Sequence, residues 1–507
     1  MSTANANVSQ APEAHNTGKA KVDFDAIGIG AGFAGLALIH YLREAGRSVR
    51  VFDRASDIGG TWTWNRYPGA ATDSESYYYC LTFSKELLQE WSWTKRYPGR
   101  EETQNYMRFV ADKCDMWPHI QLNTEIVDAQ FLDDQGHWRI TTGTGETFTC
   151  KYFISGMGMI SEPVIPKIKG MDRFKGPLFH SSRWPQEGLD YAGKRVVVIG
   201  SGATAVTIVP SMADKAAHVT MLQRSPTYMV SRPDHDVLAN RMRKVLPPKI
   251  AYNLTRFKNT WRQQLVYNKT RTDPNKVKQL LLGGIQLELG ANFDIAKHFT
   301  PNYNPWDQRL CLVPNGDFFK AMRDGKASVV TDHITSFTET GIQLASGEHL
   351  EADIIVTATG LELVTLGEMD FFVDGNQVDF AKTWTYKGFA YSDIPNMAST
   401  FGYINASWTL RSDLTAEYVC RLLNHMRKKG VAQCTPRLRE QDRNMKERPW
   451  IDGFSSGYMQ RMMHRMPRQG DHEPWINPQN YRRDKKMFKH SPIDDGVMQF
   501  SKQSARV

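Results

Sequence analysis

The first half of the chain alternates short apolar runs with glycine-rich turns and amphipathic stretches. From Lys21, "KVDFDAIGIGAGFAGLALIHYLREAG" predicts a buried strand, a glycine turn and a helix, and "SVRVFD" predicts the next strand. The polar residues 1–21 before this unit predict a disordered tail. The pattern therefore indicates a βαβ unit that starts near residue 22.

The same pattern returns later in the chain. "KRVVVIGSGATAVTIVPSMAD" predicts a strand, a glycine turn and a helix, and "HVTMLQRSP" predicts the following strand. Two such units predict an α/β fold with two doubly wound, Rossmann-like dinucleotide-binding domains. Residues of about 232–300 have a helical pattern that Pro247 and Pro248 interrupt, so we expect a helical insertion there.

The first glycine turn has the spacing of a dinucleotide site, with Gly30, Gly32 and Gly35 in G-x-G-x-x-G order and Asp53 ending the next strand. The first glycine allows a tight turn, the second lets a pyrophosphate approach the helix N-terminus, and the third permits close helix–strand packing. Asp53 would accept hydrogen bonds from ribose hydroxyls. We interpret this turn as an FAD or NAD site, with an ordinary glycine-rich turn as the alternative.

The second turn carries Gly200, Gly202 and Ala205, but Arg224 stands where the first unit has its carboxylate. A guanidinium at this strand end suits a 2′-phosphate, so the second site is interpreted as an NADPH site. Ser225 and Thr227 are further hydroxyl donors for that phosphate. The alternative is that Arg224 is only a surface charge.

Two dinucleotide sites imply a flavin that receives a hydride from a nicotinamide and passes electrons onward. The six cysteines are scattered without a C-x-x-C pair, which argues against a disulfide reductase, a disulfide framework and a metal site. Oxygen is therefore the leading electron acceptor.

Composition sets the remaining limits. With 507 residues and 41% apolar composition, the chain can bury a large core. No apolar run reaches membrane-spanning length and the first residues lack a secretory h-region, so we expect a cytoplasmic protein without an integral membrane segment. The net charge of +9 suits phosphorylated ligands, but the Lys/Arg-rich segments are interpreted as solvated faces, and no nucleic-acid partner is expected.

Three further motifs lie outside the two glycine turns: "FKGPLFHSSRWP", "GGTWTWNRYPGAATD" and the Ala-Thr-Gly at residues 358–360. The first resembles the fingerprint of the type I Baeyer–Villiger flavoprotein monooxygenases. The other two resemble a second and a third sequence pattern of the same family. The matching positions of the first two motifs are Phe174, Gly176, His180, Trp184 and Pro185, and Gly60, Trp62, Tyr67, Pro68, Gly69 and Asp73.

The resemblance is uneven along the chain. Residues from about 24 to 190 are most similar to cyclohexanone and phenylacetone monooxygenases. From about residue 195 onward, stretches such as "YNPWDQRLCLVPNGD" resemble ethionamide-activating monooxygenases. One half therefore suggests cyclic or aryl ketones as substrates, and the other suggests linear ketones and thio compounds. The mosaic is compatible with a natural intermediate or an engineered chimera.

The resemblance implies a domain division. An FAD-binding domain would comprise residues 22–158 and 358–507, and an NADPH-binding domain, residues 159–357, would be inserted between them. Ala358–Gly360 would return the chain to the flavin domain.

The resemblance also implies site residues. Arg309 would stabilise the flavin C4a-peroxide, and Asp73 would orient Arg309 and promote flavin reduction, although spacing alone fits an ordinary ion pair as well. Gly60, Thr61 and Trp62 would contact FAD, whereas His180 and Trp184 would couple domain movement to NADPH. Gln308 departs from the cyclohexanone-type enzymes, which have a Lys there that helps to hold the 2′-phosphate. Trp408 and Trp450 are candidates for the flavin or substrate cavity, with burial in the core as the alternative.

The predicted function is NADPH- and oxygen-dependent conversion of ketones to esters or lactones, with sulfoxidation as a side activity. The alternatives are a flavin monooxygenase that oxidises only nitrogen or sulfur, and a non-catalytic protein that senses dinucleotides. The expected partners are molecular oxygen and a small ketone or sulfide.

Overall fold

The fold is given by a computed structural model that describes residues 22–453 and 456–502. The tail predicted for residues 1–21 lies outside this described part of the chain. Two separate sheets organise the fold, and each contains one of the two βαβ units. This architecture confirms the predicted α/β class.

The first sheet has nine strands and contains the first βαβ unit. Its strands Phe24–Ile29 and Val49–Phe52 are parallel, with Phe33–Glu44 as the connecting helix. Strands of this kind are apolar because helices or loops cover both faces. In spatial order the strands are Asn376–Gln377, Asp370–Val373, Ile126–Leu132, His137–Thr142, Thr147–Ser155, Phe24–Ile29, Val49–Phe52 and Ile120–Gln121, and Met397–Ser399 also pairs with Thr147–Ser155.

The second sheet has five strands, and all of their pairings are parallel. It contains the second βαβ unit, whose helix is Ala203–Ala213. Its order is Ala327–Thr331, His218–Gln223, Arg195–Ile199, Ile354–Thr357 and Leu178–His180.

The chain passes between the two sheets twice, and the two crossings lie side by side. Ile160–Pro163 pairs antiparallel with Leu361–Leu363. Because the crossings are hydrogen-bonded to each other, they form a two-stranded connection between the sheets. The smaller sheets pair Met229–Arg232 with Cys311–Pro314, Ile334–Phe337 with Gly341–Leu344 and His349–Glu351, Thr385–Tyr386 with Ala390–Tyr391, Gln433–Pro436 with Met498–Ser501, and Arg448–Pro449 with Arg468–Gln469.

Four helices occupy the segment for which the sequence predicts a helical insertion. They are Val237–Val245, Pro248–Thr272, Pro274–Leu289 and Ile295–Phe299. Pro248 begins the second helix, where its missing N–H costs no intrahelical hydrogen bond. The other helices are Thr61–Trp64, Lys85–Glu90, Arg100–Lys113, Asp317–Arg323, Thr409–Lys429, Gly457–Met462 and Tyr481–His490.

The buried apolar side chains form several separate cores. The largest lies on one side of the first sheet, another lies between one face of the second sheet and helix Ala203–Ala213, and a further one lies on the other face of the second sheet. Of the six cysteines, all unpaired, five are buried. In residues 22–453 and 456–502, no helix is long and apolar enough to cross a bilayer, and no cluster of His, Cys, Asp or Glu is arranged to hold a metal ion.

Candidate functional site

The first glycine turn has the geometry that a bound dinucleotide requires. Gly30 has a φ of +99°, and its N–H donates to the carbonyl of Phe52 at 2.7 Å. A Cβ on Gly35 would lie 2.1 Å from the Gly30 carbonyl oxygen, so only glycine allows this helix–strand contact. Gly32 immediately precedes helix Phe33–Glu44, whose N-terminal amides are free to bind an anion.

Asp53 follows the second strand and is buried beside this turn. Its carboxylate accepts hydrogen bonds from the N–H groups of Ala31 at 2.6 Å and Ala55 at 2.8 Å. Burial is the main cause that raises the Asp53 pKa, and the two N–H donors oppose it. Asp53 therefore holds the glycine turn in shape as well as facing the cavity beside it.

A cavity of about 460 Å³ runs past this turn. Its walls include Asp53, Gly32 and Gly60, and also Thr61 and Trp62. A Cβ on Gly32 would lie 3.5 Å from the Gly60 Cα, and a Cβ on Gly60 would lie 3.3 Å from the Gly32 Cα. Two turns without side chains, at Gly32 and Gly60, thus lie next to each other in this wall. A flavin dinucleotide could approach their backbone closely.

The second glycine turn lies at the carboxyl end of Arg195–Ile199. Gly200 has a φ of +141°, and a Cβ there would lie 2.3 Å from the Ala358 carbonyl oxygen. Gly202 precedes helix Ala203–Ala213 with open space at its Cβ position, and Ala205 lies on the buried face of that helix.

Arg224 and Ser225 are exposed just after strand His218–Gln223. The Ser201 hydroxyl donates to the Ser225 carbonyl at 3.1 Å, which ties this strand end to the second glycine turn. Arg224 has no hydrogen-bond or ion-pair partner among the described residues, so its guanidinium is available to an anion. Thr227 is instead buried, and its hydroxyl contacts the Tyr303 hydroxyl at 3.1 Å, so its placement does not support the predicted phosphate contact.

A second cavity, of about 610 Å³, contains the predicted catalytic pair. Arg309 and Asp73 both line it, and the Arg309 Nη1 lies 2.5 Å from the Asp73 Oδ2. The two side chains are 39% and 38% exposed, so the pair faces the cavity and is not sealed in the core. Residues 236 positions apart in sequence thus meet in one wall.

The two cavities adjoin through a common wall. Tyr79 belongs to this wall, accepts a hydrogen bond from the Trp62 indole at 3.1 Å, and experiences the charges of both Asp73 and Arg309. Its pKa is raised, mainly by burial. The ion pair therefore lies close to the boundary between the cavities. The residues common to both are Thr61, Trp62, Asn65, Tyr79, Gly158, Ile160, Leu361 and Trp408.

His180 ends strand Leu178–His180 and is hydrogen-bonded to Gly360, the residue before the second crossing. Its Nδ1 accepts from the Ser182 N–H at 3.2 Å, which leaves the proton on Nε2, and Nε2 donates to the Gly360 carbonyl at 3.1 Å. Burial lowers the His180 pKa, so the ring is neutral near pH 7. His180 lines neither cavity.

Ser182 and Arg183 of the "FKGPLFHSSRWP" motif line the first cavity, whereas Phe174, Gly176 and Trp184 are packing positions. Phe174 is buried in the core beneath the second sheet, and a Cβ on Gly176 would lie 2.3 Å from the Asp353 carbonyl oxygen. The Trp184 ring packs edge-on against Phe179 with centroids 5.1 Å apart. These three residues therefore hold the motif against the second sheet.

The two tryptophan candidates have different positions. Trp408 lines both cavities, whereas Trp450 is buried against Phe401 and belongs to the core. The sequence reasoning did not identify Tyr79 or Asn65, although Asn65 lies inside a quoted motif and Tyr79 lies six residues after Asp73.

Two Rossmann-like units with adjoining cavities define a flavin-dependent oxidoreductase of the two-dinucleotide class. The family model "Flavin-binding monooxygenase-like" matches residues 25–366. The FAD-containing monooxygenase EthA of Mycobacterium tuberculosis is 42% identical over 491 residues, which cover 95% of this chain and 99% of EthA. The chain belongs to the flavin-binding monooxygenase-like family.

Two solved structures extend the similarity. A steroid monooxygenase bound to NADP is 28% identical, with a TM-score of 0.72, covering 82% of this chain and 87% of that one. An open form of cyclohexanone monooxygenase is 25% identical, with a TM-score of 0.73, covering 83% and 90%. The predicted relationship to these monooxygenases is confirmed. The predicted cofactors, FAD and NADPH, agree with the FAD-containing relative and the NADP-bound neighbour.

Proposed function

We propose that this monooxygenase carries out Baeyer–Villiger oxidation, with FAD as its bound cofactor and NADPH as its reductant. A ketone, O₂, NADPH and a proton would yield an ester or lactone, NADP⁺ and water. One oxygen atom enters the bond between the carbonyl carbon and its neighbour, and the other leaves as water. Sulfoxidation of sulfides is expected as a side activity.

The observation that supports this proposal is the Arg309–Asp73 pair, which lines the second cavity close to its boundary with the first. Oxygen transfer to a carbonyl develops negative charge on oxygen, and a permanently charged guanidinium can stabilise that charge. Asp73, at 2.5 Å, holds the guanidinium in one orientation before the reaction starts. The pair thus supplies a preorganised positive charge where the cavities adjoin.

The chain's own residues fit the two cofactors. Gly30, Gly32, Gly35 and Asp53 would hold the FAD dinucleotide, and Gly60, Thr61 and Trp62, which line the same cavity beside Gly32, would contact FAD there. When bound, reduced FAD supplies an activated oxygen atom from O₂. For NADPH, Gly200, Gly202 and Ala205 would position the pyrophosphate, and Arg224 and Ser225 would bind the 2′-phosphate.

His180 and Trp184 are proposed to couple the two nucleotide-binding regions. The His180 hydrogen bond to Gly360 links the strand Leu178–His180 to the segment that precedes the second crossing. We retain residues 22–158 and 358–507 as the FAD domain and 159–357 as the NADPH domain in this proposal. Movement between them would then be transmitted through this hydrogen bond.

A product assay tests the proposed reaction. Purified holoenzyme is given NADPH, ¹⁸O₂ and a panel of cyclic, aryl and linear ketones with matched sulfides, and products are identified by mass spectrometry. We expect esters or lactones that carry one ¹⁸O atom. Sulfoxides without any ester would indicate an enzyme that oxidises only sulfur or nitrogen. No NADPH consumption in air would indicate a non-catalytic dinucleotide-binding protein.

A further inference from the structure

Exposed large apolar side chains concentrate in the helical insertion. In the described residues, fourteen such side chains are exposed, and ten of them lie between residues 237 and 289. Scattered single exposed apolar residues are ordinary, but a concentration of this kind marks an interaction site. The ten are Val237, Leu238, Val245, Ile250, Leu254, Phe257, Trp261, Leu265, Leu280 and Leu287. We call residues 237–289 the basic helical segment.

Five of these side chains form one continuous stripe on helix Pro248–Thr272. They follow one another at intervals of four, three, four and four residues, which places them on one helix face. They are Ile250, Leu254, Phe257, Trp261 and Leu265, with exposures between 44% and 63%. The buried face of the same helix carries the smaller Ala251, Thr255 and Asn259. The helix therefore exposes these five large apolar side chains to solvent, while Tyr252 packs inward with the smaller residues.

The other two long helices of the segment also expose large apolar side chains. Val237, Arg241 and Val245 are exposed at positions i, i+4 and i+8, which places them on one face of helix Val237–Val245. Leu280 and Leu287 are exposed on Pro274–Leu289, with exposures of 68% and 89%. Apolar and cationic side chains thus share exposed faces.

The segment also carries the whole excess charge of the protein. It contains eleven Lys and Arg residues and two acidic residues, a net charge of +9, which equals the net charge of all 507 residues. The positive and negative charges of the residues outside the segment are therefore equal in number. Three of the eleven cations pair with acids outside the segment, in Lys258–Asp236, Arg262–Glu75 and Arg271–Asp307. The remaining eight have no ion-pair partner in the described part of the chain.

We propose that the basic helical segment docks on the surface of an anionic lipid bilayer. An exposed apolar stripe with Trp and Phe at its centre and many flanking cations is the pattern of helices that lie in a membrane interface. Negative lipid headgroups attract such cations, and the stripe then enters the headgroup–acyl boundary. A second copy of the chain is disfavoured as occupant because it would bring two surfaces of +9 together.

Helix Pro248–Thr272, which carries the apolar stripe, also forms part of the wall of the second cavity. Arg262, Gln263 and Val266 line that cavity, one turn or less from the stripe residues Trp261 and Leu265. If the proposed function holds, an apolar substrate dissolved in a bilayer would lie close to the cavity that contains Arg309. The docking itself does not depend on the reaction.

Vesicle flotation tests the docking directly. The holoenzyme, with its flavin absorbance as a marker of folding, is mixed with vesicles of equal parts phosphatidylglycerol and phosphatidylcholine, or of phosphatidylcholine alone. We expect binding to the anionic vesicles, and weaker binding in about 1 M salt, where the Debye length falls to about 3 Å. The double variant Phe257→Ser with Trp261→Ser should lower the vesicle partition coefficient at least about tenfold, because burying one large apolar side chain is worth that much or more.

Two matched controls distinguish docking through this segment from nonspecific vesicle binding. Ile165→Ser removes a side chain that is 62% exposed but lies outside the segment, and it should not change binding. Lys244→Glu with Lys249→Glu should weaken binding, whereas Lys485→Glu with Lys486→Glu should not. No binding to anionic vesicles, or equal loss in the controls, would overturn the proposal. So would a stripe variant that binds vesicles normally and instead changes the oligomeric state in light scattering, since the stripe would then cover a second copy.

Discussion

Replacing Arg309 by alanine tests the central residue of the proposed reaction. The variant removes the positive charge from the wall of the second cavity and leaves the glycine turns and Asp53 unchanged. We therefore expect it to bind FAD and to oxidise NADPH at a measurable rate. Ester formation should fall, because it depends on stabilising negative charge on oxygen.

The size of the loss follows from charge and exposure. A unit charge about 4 Å from the developing negative charge contributes about 4 kcal/mol at an effective dielectric constant of about 20. Loss of one such contact costs about 2.7–4 kcal/mol, on the order of a hundredfold to a thousandfold in rate. Because Arg309 is 39% exposed and solvent screens its charge, we expect about a hundredfold loss.

The assay measures ester formed and hydrogen peroxide released for each NADPH consumed. In Arg309→Ala, NADPH oxidation should become uncoupled and yield peroxide instead of ester. Arg271→Ala is the matched control, because Arg271 forms a similar pair with Asp307 at 2.9 Å and does not line either cavity. Near wild-type ester formation by Arg309→Ala would identify the pair with Asp73 as structural only.

Three further substitutions examine the cofactor sites and the crossing. Arg224→Ala should raise the KM for NADPH strongly and that for NADH little, because the exposed guanidinium would bind only the 2′-phosphate; equal changes in steady-state assays would exclude this role. His180→Ala should keep its FAD but slow oxygenation, and loss of flavin from the purified protein, or an unchanged rate, would contradict coupling. Gly35→Ala should lower the thermal unfolding temperature and the flavin content, since its Cβ would lie 2.1 Å from the Gly30 carbonyl oxygen. The control Gly283→Ala, which has open space at its Cβ position within a helix, should raise the free energy of unfolding by up to about 1 kcal/mol.

The local features of the fold were predictable because their requirements are local. A glycine turn needs positive φ or close approach within a few residues, so Gly30, Gly35 and Gly200 reveal their role by spacing. The helices of the insertion follow from periodicity in the same way. The family motifs also located Asp73 and Arg309 as separate positions in the chain.

The arrangement of the site was not predictable from these local rules. Asp73 and Arg309 are 236 residues apart, and only the packing of the two sheets brings them to one wall. The same packing places Trp408 at the cavities and Trp450 in the core, although both are single aromatics in polar surroundings. Tyr79 becomes part of the site for the same reason.

By itself, the sequence determined the two βαβ units, their glycine turns and the net charge of its helical segment. Only the tertiary structure decided which face of helix Pro248–Thr272 meets water. An apolar stripe at helical spacing ordinarily packs inward, but here the small face with Ala251 and Thr255 packs against the protein instead. Tyr252 packs on the same side as these two residues, and its hydroxyl donates to the Tyr77 carbonyl at 2.9 Å. With that side of the helix held against the protein, Phe257 and Trp261 lie on the side that faces water.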